Sequence, residues 1–109
     1  MTLKIESTSL KKSLNLNMQI KFDKKFEINL NLILEYIAKD KLEASKKFKK
    51  DLFKQIKNLP NYPYKFRKSF YFDNDEIRDM IFKRYTVVYE IDLNNNLIIL
   101  LNIFNKNKY

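Results

Sequence analysis

From Met18 to Phe22 apolar and polar positions alternate, with Met18, Ile20 and Phe22 set against Gln19 and Lys21. Side chains two apart share one face of a strand, so a short strand is predicted there. From Phe26 to Lys39 two periods overlap: FEINLNL alternates, while Phe26, Leu30, Ile33, Leu34 and Ile37 recur at helical spacing. The run continues through Glu35, Tyr36, Ile37 and Ala38, beyond ordinary strand length, which favours a helix. A helix–helix turn follows, where Asp40, with Glu43 three residues on, is placed to cap a second helix. That second helix carries an apolar stripe of Phe48, Leu52, Phe53, Ile56 and Leu59, and Lys46, Lys47, Lys49, Lys50, Lys54 and Lys57 fill much of the rest. Pro60 and Pro63 end it.

The interval from Asn61 to Glu76 is aromatic and mixed in charge, with Lys65, Arg67 and Lys68 set against Asp73, Asp75 and Glu76. It reads as a long loop with one short strand near Phe70 to Phe72. Three apolar runs follow, Ile77 to Phe82, Tyr85 to Asp92 and Leu97 to Phe104, joined by a tight turn at Lys83 and Arg84 and a turn at Asn94, Asn95 and Asn96. This is the pattern of an antiparallel meander, with Asn supplying the left-handed backbone that Gly would otherwise take. Leu97 to Leu101 is apolar on both faces, so the last strand is predicted to be central in the sheet rather than at its edge. The whole order is an N-terminal strand, a two-helix antiparallel hairpin and a three-stranded antiparallel meander. It predicts an α+β domain with the helices packed on one face of a single sheet.

At 109 residues and 45% hydrophobic, the chain is long enough for one core and too short for two. Residues 1–17 are polar and without sustained periodicity, and are read as an N-terminal extension: a weakly ordered arm, or the product of an upstream start codon. Met18 then opens a single domain spanning residues 18–109. With 22 basic and 13 acidic residues the net charge is +9, which favours an anionic partner such as nucleic acid, an acidic protein or a lipid surface. Abundant Lys and Asn with no Gly also match the drift of an AT-rich genome, which accounts for part of that charge.

No Cys and no His occur, so disulfides, thiolate metal sites and the commonest general base are excluded. No cofactor or metal is expected; Asp73, Asp75 and Glu76 lack the spacing and the Gly of a calcium loop. The longest apolar run, Leu97 to Leu101, is far short of a membrane span, and the N-terminus has no continuous apolar core of a signal peptide. A cytoplasmic protein with no membrane partner is expected.

Chemistry must therefore come from Lys, Arg, Tyr or carboxylates. The candidates for contact with an anionic target are Arg67 and Lys68 in the loop, Arg78 on a strand, Lys83 and Arg84 in the turn, and Lys106, Lys108 and Tyr109 in the tail. Each has a plainer reading: Arg78 paired with Asp75 or Glu76, Lys83 and Arg84 as ordinary turn residues, the tail as a frayed end. Tyr85 and Tyr89 share a strand face with Val87 and Ile91 and are read as core.

Four segments, LEYIAKDKLEASKKFKKDLFKQIKNLPNYP, IRDMIF, RYTVVYEID and LIILLNIFNKNK, in this order and spacing, resemble the RelE/ParE superfamily of bacterial toxin–antitoxin toxins over roughly Met18 to Tyr109. The resemblance implies one of two activities. Members resembling RelE cleave messenger RNA in the ribosome, and members resembling ParE inhibit DNA gyrase without assigned catalytic residues. Metal-independent RNA cleavage needs a base, a proton donor and cations on the developing phosphorane. In a RelE-like reading Arg78 takes the strand position, with Lys106, Lys108 and Tyr109 at the tail. Many relatives carry His near the place of Asn105, and this chain has none. The IRDMIF strand and IFNKNK ending look closer to ParE-like members. The resemblance therefore implies a gyrase-inhibiting toxin. The alternatives are a ribosome-dependent endoribonuclease and a nontoxic basic binding module on the same fold. In each case the implied partner is a cognate antitoxin with a segment that folds on the toxin as a helix or added strand.

Overall fold

A computed structural model describes residues 18–105. Its elements are β1 (Gln19–Phe22), α1 (Lys24–Asp40), α2 (Leu42–Lys57), a short 3₁₀ turn (Leu59–Asn61), β2 (Arg67–Lys68), β3 (Ile77–Phe82), β4 (Tyr85–Asp92) and β5 (Leu97–Asn105). The expected N-terminal extension and the tail residues Lys106, Lys108 and Tyr109 lie outside the described residues.

Asp23 opens α1: its backbone is extended and its carboxylate accepts from the Lys24 amide at 2.8 Å, the use to which helix starts put Asp. Phe26 and Leu30 are buried, with Ile33, Leu34 and Ile37 packed beside them. The second helix does not begin at an Asp40 cap. Asp40 is the last residue of α1, and Lys41 alone, extended at φ −154° and ψ 112°, forms the joint and offers no side-chain cap to α2. What replaces the capping box is a tertiary bond, Ser45 Oγ donating to the Leu34 carbonyl at 2.8 Å, which ties the two helices at their shared end.

The sheet has five strands in the order β1-β5-β4-β3-β2. The meander β3–β4–β5 is antiparallel, as predicted, and β1 joins it parallel to β5, Gln19 opposite Leu97 and Phe22 opposite Leu100. That pairing makes β5 an internal strand, which is why it is apolar on both faces. A fifth strand was expected near Phe70 to Phe72; it forms instead at Arg67–Lys68, antiparallel to β3, with Arg67 opposite Asp79 and Lys68 opposite Arg78. The strand forms where these polar partners meet and not where the aromatics are densest.

The register of β4 on β5 shifts between Val88, opposite Asn102, and Tyr89, opposite Leu100, so Leu101 is an extra residue on β5. This bulge resets the alternation. Ile98 and Leu100 point into the core at a spacing of two, and Ile103 joins them three residues later. With Met80, Phe82, Val87, Tyr89 and Ile91 they meet Phe26, Leu30, Phe48, Leu52 and Ile56 of the helices in one core. The opposite sheet face is also covered at one end, where Ile77, Asp79, Thr86 and Val88 are buried. The chain after β2 folds over it: the Phe70 amide donates to Asp79, and the Tyr71 ring meets Phe104 edge-on at 5.3 Å. Among the described residues no helix is long and apolar enough to cross a membrane.

Candidate functional site

The loop from Asn61 to Glu76 is long, yet it is fastened to the sheet by named bonds. The wholly buried Asp79 carboxylate is the first anchor: Oδ2 accepts from the Phe70 amide at 3.0 Å and pairs with Arg67 Nη2 at 3.4 Å. Its other oxygen, Oδ1, and Thr86 Oγ1 are buried without a hydrogen-bond partner among the described residues. A buried carboxylate with one half-exposed cation is held largely by that cation, so Arg67 is fixed in place. Its guanidinium lies 3.8 Å from the centre of the Phe70 ring, which is itself 74% exposed. A rigid cation stacked on an outward aromatic face therefore stands at the β2 edge of the sheet.

Arg78 is the second anchor. Nε donates to the Asp75 carbonyl and Nη1 to the Phe66 carbonyl, both at 3.0 Å, and the guanidinium lies 4.9 Å from the Tyr64 ring centre. It does not pair with the Asp75 carboxylate, which goes to Lys68 at 2.9 Å and is held below the usual carboxylate range by it. The Tyr64 hydroxyl donates to Glu76; burial, reinforced by that bond, pushes its phenol up to about 12. Tyr89, in the core as expected, donates to the Pro63 carbonyl at 2.6 Å, and burial raises its phenol as well.

The turn at Lys83 and Arg84 joins the paired residues Phe82 and Tyr85. Lys83 has φ 55°, left-handed backbone for which Gly or Asn is the ordinary choice, and Asn96 at φ 57° shows that choice in the other turn. The Lys83 ammonium lies 5.5 Å from the Phe82 ring centre and 5.8 Å from that of Phe48.

Two features escape a reading of the sequence in one dimension. The first is a cleft of about 810 Å³ between the C-terminal part of α2, the following loop and the β3–β4 turn, which brings Lys54, Lys65 and Lys83 to one place beside Tyr62. Its signal in the sequence is an absence of acids: from Leu52 to Phe72 there is neither Asp nor Glu. The second is an exposed apolar row on α1, Ile28, Leu32 and Tyr36, one helical turn apart and 51%, 58% and 72% exposed. It flanks a groove of about 460 Å³ that also includes Ile33, Tyr85, Ile103 and Phe104. This row explains why FEINLNL alternates inside a helix. Phe26 and Leu30 belong to the buried stripe, Ile28 and Leu32 to the outer one.

The β2 edge thus offers a guanidinium paired with Asp79 and an exposed aromatic surface, with Lys68 held by Asp75 beside them. The Arg67 guanidinium over the Phe70 ring gives this edge an outward surface on which a partner can dock. No group of three or more Asp or Glu side chains gathers to hold a metal among the described residues.

A family model described as "ParE toxin of type II toxin-antitoxin system, parDE" matches residues 20–108. Among solved structures, one described as "Chromosomal ParDE TA system from P. aeruginosa" superposes with a TM-score of 0.67 at 19% identity, over 83% of this chain and 97% of that one. At that identity the likeness is one of fold. No curated protein matches the sequence significantly.

Proposed function

Because the chain belongs to the ParE toxin family of type II toxin–antitoxin systems, we propose that it arrests growth by binding and inhibiting DNA gyrase in the cytoplasm, and that a cognate antitoxin neutralises it. The observation that carries the choice of target is the state of the β2 edge. Arg78, the strand arginine that RNA cleavage would call upon, spends its Nε and Nη1 donors on backbone carbonyls. The outward residues, Arg67 and Phe70, form a preorganised stack of the kind that anchors protein interfaces. Inhibition by docking needs such a surface and no acid–base pair. In this reading Arg67, Lys68 and Phe70 contact the target, Arg78 positions the loop that carries them, and Arg84 adds to the basic surface.

The antitoxin is assigned to the other exposed surface. The outer row Ile28, Leu32 and Tyr36 and its groove fit the apolar face of a helix folding on binding, since such helices present anchors at the same i, i+4 spacing.

Induction of the protein without its antitoxin tests the reading. Plasmid supercoiling is expected to fall while the ends of translated messages stay unchanged. New ends within translated messages with supercoiling intact would overturn it in favour of the endoribonuclease, and normal growth with both unchanged would favour the nontoxic module.

A further inference from the structure

We propose that the cleft between α2, the loop after it and the β3–β4 turn is a binding groove for single-stranded nucleic acid, with phosphates on Lys54, Lys65 and Lys83 and a base stacked on Tyr62. This is a ligand site separate from the Arg67–Phe70 edge assigned to the protein target.

Three observations support it. The first is charge. The three lysines share the cleft with a single acid, Asp51, whose carboxylate is engaged by Lys47 at 3.1 Å and held low by that bond. The field in the cleft is therefore positive, with Lys54, Lys65 and Lys83 on its walls. Lysine suits this task, because an ammonium on a flexible stem follows a phosphate chain as a point charge without demanding one fixed geometry.

The second is aromatic surface. Tyr62 lines the cleft, is 65% exposed, and lies also at a smaller apolar hollow formed with Asn61, Pro63, Tyr64 and Lys65. A ring standing between a cationic cleft and an apolar hollow is the arrangement in which a backbone tracks the charge and a base takes the ring face. The cleft's volume, about 810 Å³, is open enough for more than one nucleotide unit.

The third is the backbone of Lys83. Left-handed backbone disfavours lysine relative to glycine or asparagine, yet the turn holds lysine there, with its ammonium over the Phe48 and Phe82 rings at the wall of the cleft.

The test is fluorescence anisotropy of the full chain with labelled dT12 and rU12, a 12-base-pair duplex, and polyglutamate of matched charge as competitor. Either single strand is expected to bind, the tighter of the two naming the natural source. With three phosphates neutralised, log K should fall against log salt with a slope of about −2. Lys54→Glu with Lys65→Glu should weaken binding by about tenfold or more, and Tyr62→Ala by about tenfold with the salt slope unchanged. Lys25→Glu with Lys39→Glu on α1 makes the same change in net charge away from the cleft and should leave affinity within about threefold. All these positions are exposed, and circular dichroism of each variant confirms folding. The proposal is overturned by an absence of binding at low salt, by equal loss in the α1 variant, by duplex binding as tight as single strand, or by polyglutamate competing as well as the oligonucleotide, which would assign the cleft to an acidic protein. Gyrase inhibition surviving in Lys54→Glu/Lys65→Glu leaves the target reading standing whatever happens to the cleft.

Discussion

Two tyrosines, Tyr64 and Tyr89, couple the fold to alkaline pH. Tyr64 and Tyr89 both have phenols raised by burial, Tyr64 to about 12, and both hydroxyls donate to acceptors that need the proton, Glu76 and the Pro63 carbonyl. A phenol with a folded pKa above its unfolded value near 10 stabilises the fold fully below pH 10. That contribution is lost as pH rises through the folded value, because the unfolded state releases its proton first. Stability is therefore expected to fall between about pH 10 and 12, and Tyr64→Phe should flatten that slope without steepening it at pH 7. Urea midpoints measured from pH 8 to 12 check this; an unchanged slope in the variant would show that the Tyr64–Glu76 bond is not coupled to folding. At the same scale, the aromatic and cationic identities in the sequence pointed to the right neighbourhood but not to roles. Arg78 stood out as a candidate, and only the structure shows its donors bonded to Asp75 and Phe66.

Among the elements, those built from local pattern were legible and those built from distant pairing were not. The stripe of α2, the three meander strands and the interior place of β5 follow from periodicity that any single segment displays. The parallel joining of β1 to β5 brings together residues 78 apart, Gln19 and Leu97, and nothing local encodes it. The two-residue β2 owes its place to Asp79, which captures Arg67 and the Phe70 amide, so the aromatic density around Phe70 to Phe72 misled by three residues. The Asp40 cap also failed against a distant pairing: Asp40 lies within the first helix, and Ser45 closes the hairpin on the Leu34 carbonyl. The loop from Asn61 to Glu76 is where element and site meet. Replacing Arg78 by Ala leaves the Phe66 and Asp75 carbonyls without their donor and is expected to destabilise the loop by about 1–3 kcal/mol. Amide exchange at the loop residues Phe70 and Tyr71 should then accelerate more than at Leu52 or Ile98 in the core. Uniform acceleration across the fold would mean that the loop is part of the global unfolding unit and not held separately by Arg78.

For the whole molecule, a net charge of +9 says little by itself, and its distribution says more. One side gathers Lys54, Lys65 and Lys83 in a cleft, the β2 edge holds Arg67 against Phe70, and α1 turns an apolar row outward. Two of these surfaces are what a toxin requires if a target and a neutralising partner are engaged separately, and the cleft is a third. Family membership carries the toxin reading, and the β2 edge carries the choice of target. The most direct test is inhibition of purified DNA gyrase by the purified chain, comparing the natural sequence with Phe70→Ala, an exposed position whose change leaves the Arg67–Asp79 pair in place. Losing the aromatic anchor from an interface is expected to raise the concentration for half-inhibition by about 30-fold, with the fold intact by circular dichroism. Equal inhibition by both proteins would contradict the assignment of the edge, and no inhibition by the natural chain would contradict the function itself.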